Sequence, residues 1–190
     1  MVQHWEIRNR RISHDFKFMQ IESKEACSPR TGKSMDVMAI HFPDWVVVLA
    51  LTAKQEVIMV HQYRHGTEKV HLELPGGLVD PDDLSPSAAG QREFLEETGY
   101  SASELHVIGE CFPQPAILSN RCFVCLAQDA EFQQKQTLDD GEDMDVVKIP
   151  LADITSKINN KEIDNGMTLL AFYYYWMHQK NKKEDHLQKG

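Results

Sequence analysis

Arg92-Glu93-Phe94-Leu95-Glu96-Glu97-Thr98-Gly99 is the stretch on which the reading of this chain turns. It sets Glu93, Glu96 and Glu97 within about one and a half turns of a helix. Positions three and four apart share a helix face, so Glu93 neighbours both other acids. Each like-charge pair of this kind costs about 0.2–0.5 kcal/mol. The last helical turn also carries the negative end of the helix dipole, where carboxylates are disfavoured. A cation at this spot recovers the cost, and three hard oxygen donors suit Mg²⁺, with Mn²⁺ as the alternative. A solvated acidic face is the plainer reading, and the flanking sequence decides between them.

Upstream runs Leu72-Glu73-Leu74-Pro75-Gly76-Gly77-Leu78-Val79-Asp80-Pro81. An apolar strand ends at Pro75, and two glycines permit a tight turn or a close backbone approach. Ser85-Pro86 supplies an N-cap and a proline at the first helical position. Ala88, Ala89, Phe94 and Leu95 give the helix its apolar character, and Gly99 stands where a C′ residue stops it. The order is strand, glycine loop, acid-bearing helix, glycine.

The segment Gly77 to Tyr100 resembles the Nudix box, the signature of hydrolases that cleave nucleoside diphosphates linked to another moiety. The second half of the pattern matches from Arg92 through Tyr100. The first half departs from it. Gly77 lies one residue upstream of its place, and Leu84 stands where the first glutamate belongs. Asp82 or Asp83 is the available substitute in a loop longer by one residue. The resemblance implies a metal set of Glu93, Glu96, Glu97, the Gly76 carbonyl and Glu142, with Arg92, Glu93 and Glu142 as catalytic residues. Glu142 is the expected general base, Glu93 its rival for that role, and Asp140 and Asp143 are rivals for the place in the acidic loop.

Three features narrow the substrate toward the ADP-ribose pyrophosphatase-like subfamily. Gln62-Tyr63-Arg64 ends a strand, and by resemblance Arg64 contacts the diphosphate; a guanidinium fork matches phosphate oxygens. Pro115 stands fifteen residues beyond Tyr100, the spacing of the subfamily proline. The acidic run from Asp139 to Asp145 precedes a strand. Glu73 is a candidate hydrogen-bond partner for a base, or else points to solvent. The aromatic that stacks on the base is open among Trp5, Phe16, Phe18 and Tyr63. A nucleoside diphosphate-sugar hydrolase, acting for example on GDP-mannose, is the alternative. Such relatives carry Asp-any-Lys before a threonine, whereas this chain reads Asn165-Gly166-Met167-Thr168. A non-catalytic, nucleotide-sensing Nudix domain is a third reading, and retention of all three box glutamates argues against it.

The rest of the chain agrees with one enzyme. At 190 residues and 42% hydrophobic it can bury a substantial core, and a net charge of −9 argues against a general nucleic-acid binder. No apolar stretch is long enough to cross a bilayer, and the N-terminus lacks the apolar region of a signal peptide. A cytoplasmic location is expected, and the four cysteines show no metal spacing. Residues 1–43 read as antiparallel strands divided by the turn at 28–32; residues 44–180 are the expected catalytic domain, and 181–190 a polar tail. Trp45–Thr52 and Val57–Val60 read as central, doubly covered strands. Further strands are expected over Glu104–Phe112, Arg121–Ala127 and Asp145–Ile149, with a closing helix over Met167–Gln179. The implied fold is an α/β/α sandwich around a mixed sheet. By resemblance the protein is a homodimer whose N-terminal strands contribute to substrate contacts, with no nucleic-acid or membrane partner.

Overall fold

The computed structural model describes residues 1–139 and 141–188. The chain divides into two units, Met1–Asp44 with Phe112–Arg121, and Trp45–Cys111 with the chain from Cys122 onward.

The first unit is a three-stranded antiparallel sheet in the order β1 (Glu6–Asp15), β2 (Gln20–Cys27), β3 (Ser34–His41). The turn expected at 28–32 is present: Gly32 takes the left-handed conformation (φ 67°) and its N–H donates to the Ser28 carbonyl over 2.8 Å. β1 slips register between Arg8 and Arg11, where Asn9 has φ 50°. Asparagine tolerates that region better than most residues, so the slip reads as a bulge. Residues 112–121 attach to β3, with Ile40 and Ser119 exchanging backbone bonds with Ile117 and Ile40 respectively. In this unit Glu22 is 5% exposed and is gripped by Arg10 (3.0 Å), Lys24 (3.0 Å) and His41 (3.2 Å).

The second unit is built on a seven-stranded mixed sheet. Its strands are β4 (Trp45–Leu51), β5 (Glu56–Arg64), β6 (Lys69–Glu73), β7 (Gly76–Leu78), β9 (Leu105–Cys111), β10 (Cys122–Ala127) and β12 (Met144–Pro150). The main path runs β12-β5-β4-β10-β9, with β6 on β5 and β7 on β4. Only β4 and β10 pair in parallel; the other pairings are antiparallel. A small ribbon joins β8 (Tyr100–Ser101) to β11 (Glu131–Phe132).

β-alternation explains the two cores. Val46, Val48 and Ala50 of β4 point to one face and pack with Ile58, Ala89 and Phe94, the last two from α1 (Pro86–Thr98). Leu49 and Leu51 point the other way and meet Ile154 of α2 (Ile154–Asn159) and Phe172 of α3 (Gly166–Gln188). The run from Trp45 is nearly all apolar because both faces of its strand are covered. The expected sandwich and the central strands are therefore present. The closing helix runs past Gln179 to Gln188, and in the single chain Tyr173, Trp176 and Met177 on it are exposed. Cys122 and Cys125 are buried in β10 and form no disulfide. No described helix is long and apolar enough to cross a membrane.

Candidate functional site

Helix α1 is held at both ends as its sequence requires. Ser85, in extended backbone, accepts a bond from the Ala88 N–H at 3.1 Å, and Pro86 follows it. Gly99 closes the helix at φ 74°, its N–H donating to the Leu95 carbonyl. A side chain at Gly99 would collide with the Gln134 carbonyl as well as meeting the φ restriction. The stop fixes the phase of the last turn, and so which acids face the glycine loop.

Glu97 faces inward and is only 3% exposed. Its Oε2 accepts the Gly76 N–H at 2.7 Å, and no described cation salt-bridges it. Burial pushes its carboxyl up to about 8, opposed by the Gly76 bond and the charge of Arg64 and increased by the charges of Glu93 and Glu142. Glu93 is largely buried and also raised, chiefly by burial, with Arg92 pulling the other way. The two glycines are needed for space. A Cβ at Gly76 would overlap the Val46 carbonyl, and one at Gly77 would meet the Glu93 carboxylate. The loop can therefore approach the acids only as bare backbone.

Arg92 organises the box from outside the cavity. Its Nη2 donates to the Leu78 carbonyl (3.1 Å) and to Asp83 (2.9 Å), and its Nη1 donates to Glu93 (2.9 Å) and Glu96 (3.2 Å). This guanidinium ties loop to helix. Asp83 takes the part of the missing first glutamate, and Leu84, which stands in that glutamate's place, is almost fully exposed. The longer loop brings the carboxylate to the same partner from a different position. Glu96 is 45% exposed at its side chain and pairs with Arg92 rather than joining Glu97.

A cavity of about 370 Å³ opens beside Glu97, lined also by Gln62, Arg64, Glu73, Gly76 and Glu142. That volume lies in the range of small-molecule sites. Arg64 and Glu73 are partners. Nε and Nη2 of Arg64 donate to the Glu73 carboxylate, with Nη2 to Oε2 at 2.9 Å, and Glu73 is 3% exposed. Burial removes the solvent-facing alternative for Glu73. A fork on Nε and Nη2 directs the remaining edge of the guanidinium elsewhere. Glu142 lies on the loop before β12, its Oε2 accepting the Asp139 N–H at 3.1 Å. Asp140 lies outside the described residues. Among the described residues no three acidic, histidine or cysteine side chains already close around one point. The donor set nevertheless fits a hard divalent cation: among the described residues no cation salt-bridges the buried Glu97 carboxylate, and two further acids outweigh the more distant Arg64 in its field.

Other expected residues lie elsewhere. Pro115 is exposed in the first unit and lines a groove there with Trp5 and Ile7, not this cavity. Tyr63 is exposed and meets His65 edge-on at 5.3 Å. Among the described residues the aromatic side chain lining the cavity is Trp45, which sequence reasoning passed over as a strand residue. Gln136 was missed as well. Its Nε2 donates to the Glu97 carbonyl (2.6 Å) and the Met144 carbonyl (3.2 Å), pinning the acid-bearing turn to β12. A lone glutamine in a polar loop carries no periodic signal. Thr168, 1% exposed, accepts the Leu74 N–H at 3.1 Å, and Asn165 caps α3 by accepting from Met167 and Thr168.

Comparison with known proteins agrees with this geometry. The NUDIX domain profile matches residues 41–170. The chain is 30% identical over 144 residues to the ADP-ribose pyrophosphatase of Bacillus subtilis (strain 168), covering 75% of this chain and 77% of that protein. It is 29% identical over 136 residues to the GDP-mannose pyrophosphatase of Citrobacter koseri, covering 67% and 70%. A solved structure described as an ADP compounds hydrolase superposes with a TM-score of 0.83 at 22% identity, covering 96% of this chain and 97% of that one.

Proposed function

The chain belongs to the Nudix family and is a hydrolase of nucleoside diphosphate derivatives; on that premise we propose that it cleaves the diphosphate of ADP-ribose, with Mg²⁺, to AMP and ribose 5-phosphate. The observation that carries this reading is Glu97: a buried carboxylate that no described cation salt-bridges, in one cavity with an arginine fixed by its own buried acid. Likeness to the Bacillus subtilis enzyme supports the choice of substrate.

Glu93, Glu96, Glu97, Glu142 and the Gly76 carbonyl are the groups that would hold the metal, Mg²⁺ or Mn²⁺. When bound, it neutralises the diphosphate and makes phosphorus more electrophilic. Arg64, held by Glu73, presents its free edge to phosphate oxygens. Glu142 takes a proton from the attacking water, with Glu93 the alternative base. The water oxygen bonds to one phosphorus, and the bridging oxygen leaves with the other phosphate. Arg92 and Gln136 keep the acids in place. The buried thickness around Glu97 excludes bulk water and strengthens every charge interaction there.

GDP-mannose is the second reading, favoured by the Citrobacter koseri relative. The absence of lysine in Asn165-Gly166-Met167-Thr168 supports ADP-ribose over it. Product analysis with ADP-ribose, GDP-mannose, UDP-glucose and diadenosine polyphosphates in Mg²⁺ tests the choice. The expected result is highest kcat/KM with ADP-ribose; a clear preference for GDP-mannose overturns it. A homodimer and a cytoplasmic location complete the reading, the former supported by exposed Trp5, Phe16, Phe18, Met35 and Met38 in the N-terminal unit. Sedimentation at micromolar concentration checks the dimer.

A further inference from the structure

We infer that His71 is a positioning residue for substrate binding, clamping the Arg64-bearing hairpin to the first turn of α3; the inference rests on the functional reading above. The imidazole uses both of its nitrogens. Nδ1 lies 2.7 Å from Asp164 Oδ1, and Nε2 lies 2.7 Å from Thr67 Oγ1. A carboxylate only accepts, so in the neutral ring Nδ1–H donates to Asp164 and Nε2 accepts from the Thr67 hydroxyl. The side chain of His71 is 13% exposed, a shielded polar ring with a partner at each end.

Strand register shows what the clamp holds. His71 pairs with Gln62 across the β5–β6 ladder, and Lys69 with Arg64. Cross-strand partners share a face, as do residues two apart along a strand. His71 is therefore on the same face of the hairpin as Gln62, Arg64 and Glu73, all of which line the cavity. Thr67 sits in the turn between the strands, where the N–H groups of Thr67 and Glu68 donate to the Arg64 carbonyl at 3.3 and 2.8 Å. One end of the relay thus meets the backbone of the arginine offered to phosphate. The other end is Asp164, next in the chain to Asn165, which caps α3 and lines the cavity with Met167 and Thr168. A buried bond from the Leu74 N–H to Thr168 joins the same two elements. About one tie the hairpin can pivot; a second tie fixes the angle, and with it the gap between Arg64 and the first turn of α3. Asp164 is 55% exposed, and a pair so open to water adds little stability by itself. Its effect falls on geometry, where a small misplacement of binding groups is costly.

The test is steady-state kinetics in Mg²⁺ with ADP-ribose, or with GDP-mannose if that is the better substrate, at a temperature where circular dichroism shows every variant folded. His71→Leu and Asp164→Ala are each expected to raise KM about tenfold with kcat within about twofold. The double variant is expected to be no worse than about the poorer single one, because both changes open the same clamp. His71→Asn, whose amide N–H falls near the Nδ1 position, is expected to bring KM back to within about threefold of wild type. A strut that only stabilises the fold would lower Tm and leave KM alone. If His71→Leu does not fold, Asp164→Ala and Thr67→Val, both at exposed positions, carry the same comparison. KM within about twofold of wild type in both single variants, losses that multiply in the double variant, or no recovery in His71→Asn overturns this inference alone. A wild type inert toward every nucleoside diphosphate compound overturns the reading beneath it, and this inference with it.

Discussion

Glu22 in the N-terminal sheet and Glu97 at the end of α1 are both glutamates with almost no exposed surface, and their surroundings treat them oppositely. Three basic side chains surround Glu22, and hydrogen bonds from Lys24, Arg10 and His41 hold its carboxyl down at about 2 against the opposing effect of burial. Glu97 has one backbone N–H, two acidic neighbours and only the longer-range charge of Arg64 in its favour, and burial drives it up to about 8. The first is a satisfied ion cluster, stable as it stands. The second is a charge that no described cation pairs directly. Burying a carboxylate without a partner is costly, so its retention at the mouth of a cavity points to a partner that arrives from solution.

The largest effect follows from removing that carboxylate's charge. Glu97→Gln is expected to lower kcat/KM for ADP-ribose in Mg²⁺ by at least about a thousandfold while leaving the circular dichroism spectrum unchanged. A loss of less than tenfold would make Glu97 an ordinary buried acid. Next comes the arginine beside it. Arg64→Ala is expected to cost about a hundredfold in kcat/KM, and Glu73→Gln about tenfold, carried mainly in KM, because the second change loosens the guanidinium without removing it. Equal losses in the two variants would mean that Glu73 does more than position Arg64.

Titration sharpens the contrast between the two glutamates. Glu22 has a folded-state value below its unfolded one, so its stabilisation is complete above about pH 4.5 and is lost as pH falls toward 2. Glu97 has a folded-state value above its unfolded one. Its favourable contribution is complete below about pH 4.5 and disappears as pH rises to 8. Without divalent cations, Tm is expected to fall between pH 5 and 8 by more than about 3 °C through Glu97, and Glu97→Gln to flatten that slope. Glu22→Gln is expected to flatten only the acid limb, below pH 4.5. If Glu97→Gln leaves the neutral limb unchanged, desolvation at this position is smaller than its burial implies.

Much of the second unit was legible because its signals are local. Ser85-Pro86 and Gly99 mark the ends of α1, and they are the observed cap, first turn and left-handed stop. The apolar run from Trp45 announced a strand covered on both faces, which the two clusters on either side of β4 explain. Long-range partnerships were not legible. Nothing in the order of residues says that Glu73 forks to Arg64 rather than meeting a base, since Glu73 pairs with Val60 in the β5–β6 register and the contact depends on the Arg64 side chain lying back along the hairpin. The same limit hid Gln136, whose amide reaches two carbonyls far apart in sequence. Trp45 went unnoticed because at the start of an apolar run an indole reads as core. Asp83 was legible only as one of two candidates, and the Arg92 contacts separate it from Asp82.

The most direct test of cation binding by Glu97 is Mn²⁺ titration of the protein at pH 7 without substrate, followed by electron paramagnetic resonance with proton release recorded in parallel. Saturable binding is expected in the wild type, with protons released as Glu97 ionises to meet the metal, and both are expected to be strongly weakened in Glu97→Gln. Equal Mn²⁺ affinity in the two proteins, or binding without proton release, would contradict the assignment of Glu97 as the buried carboxylate that awaits a metal.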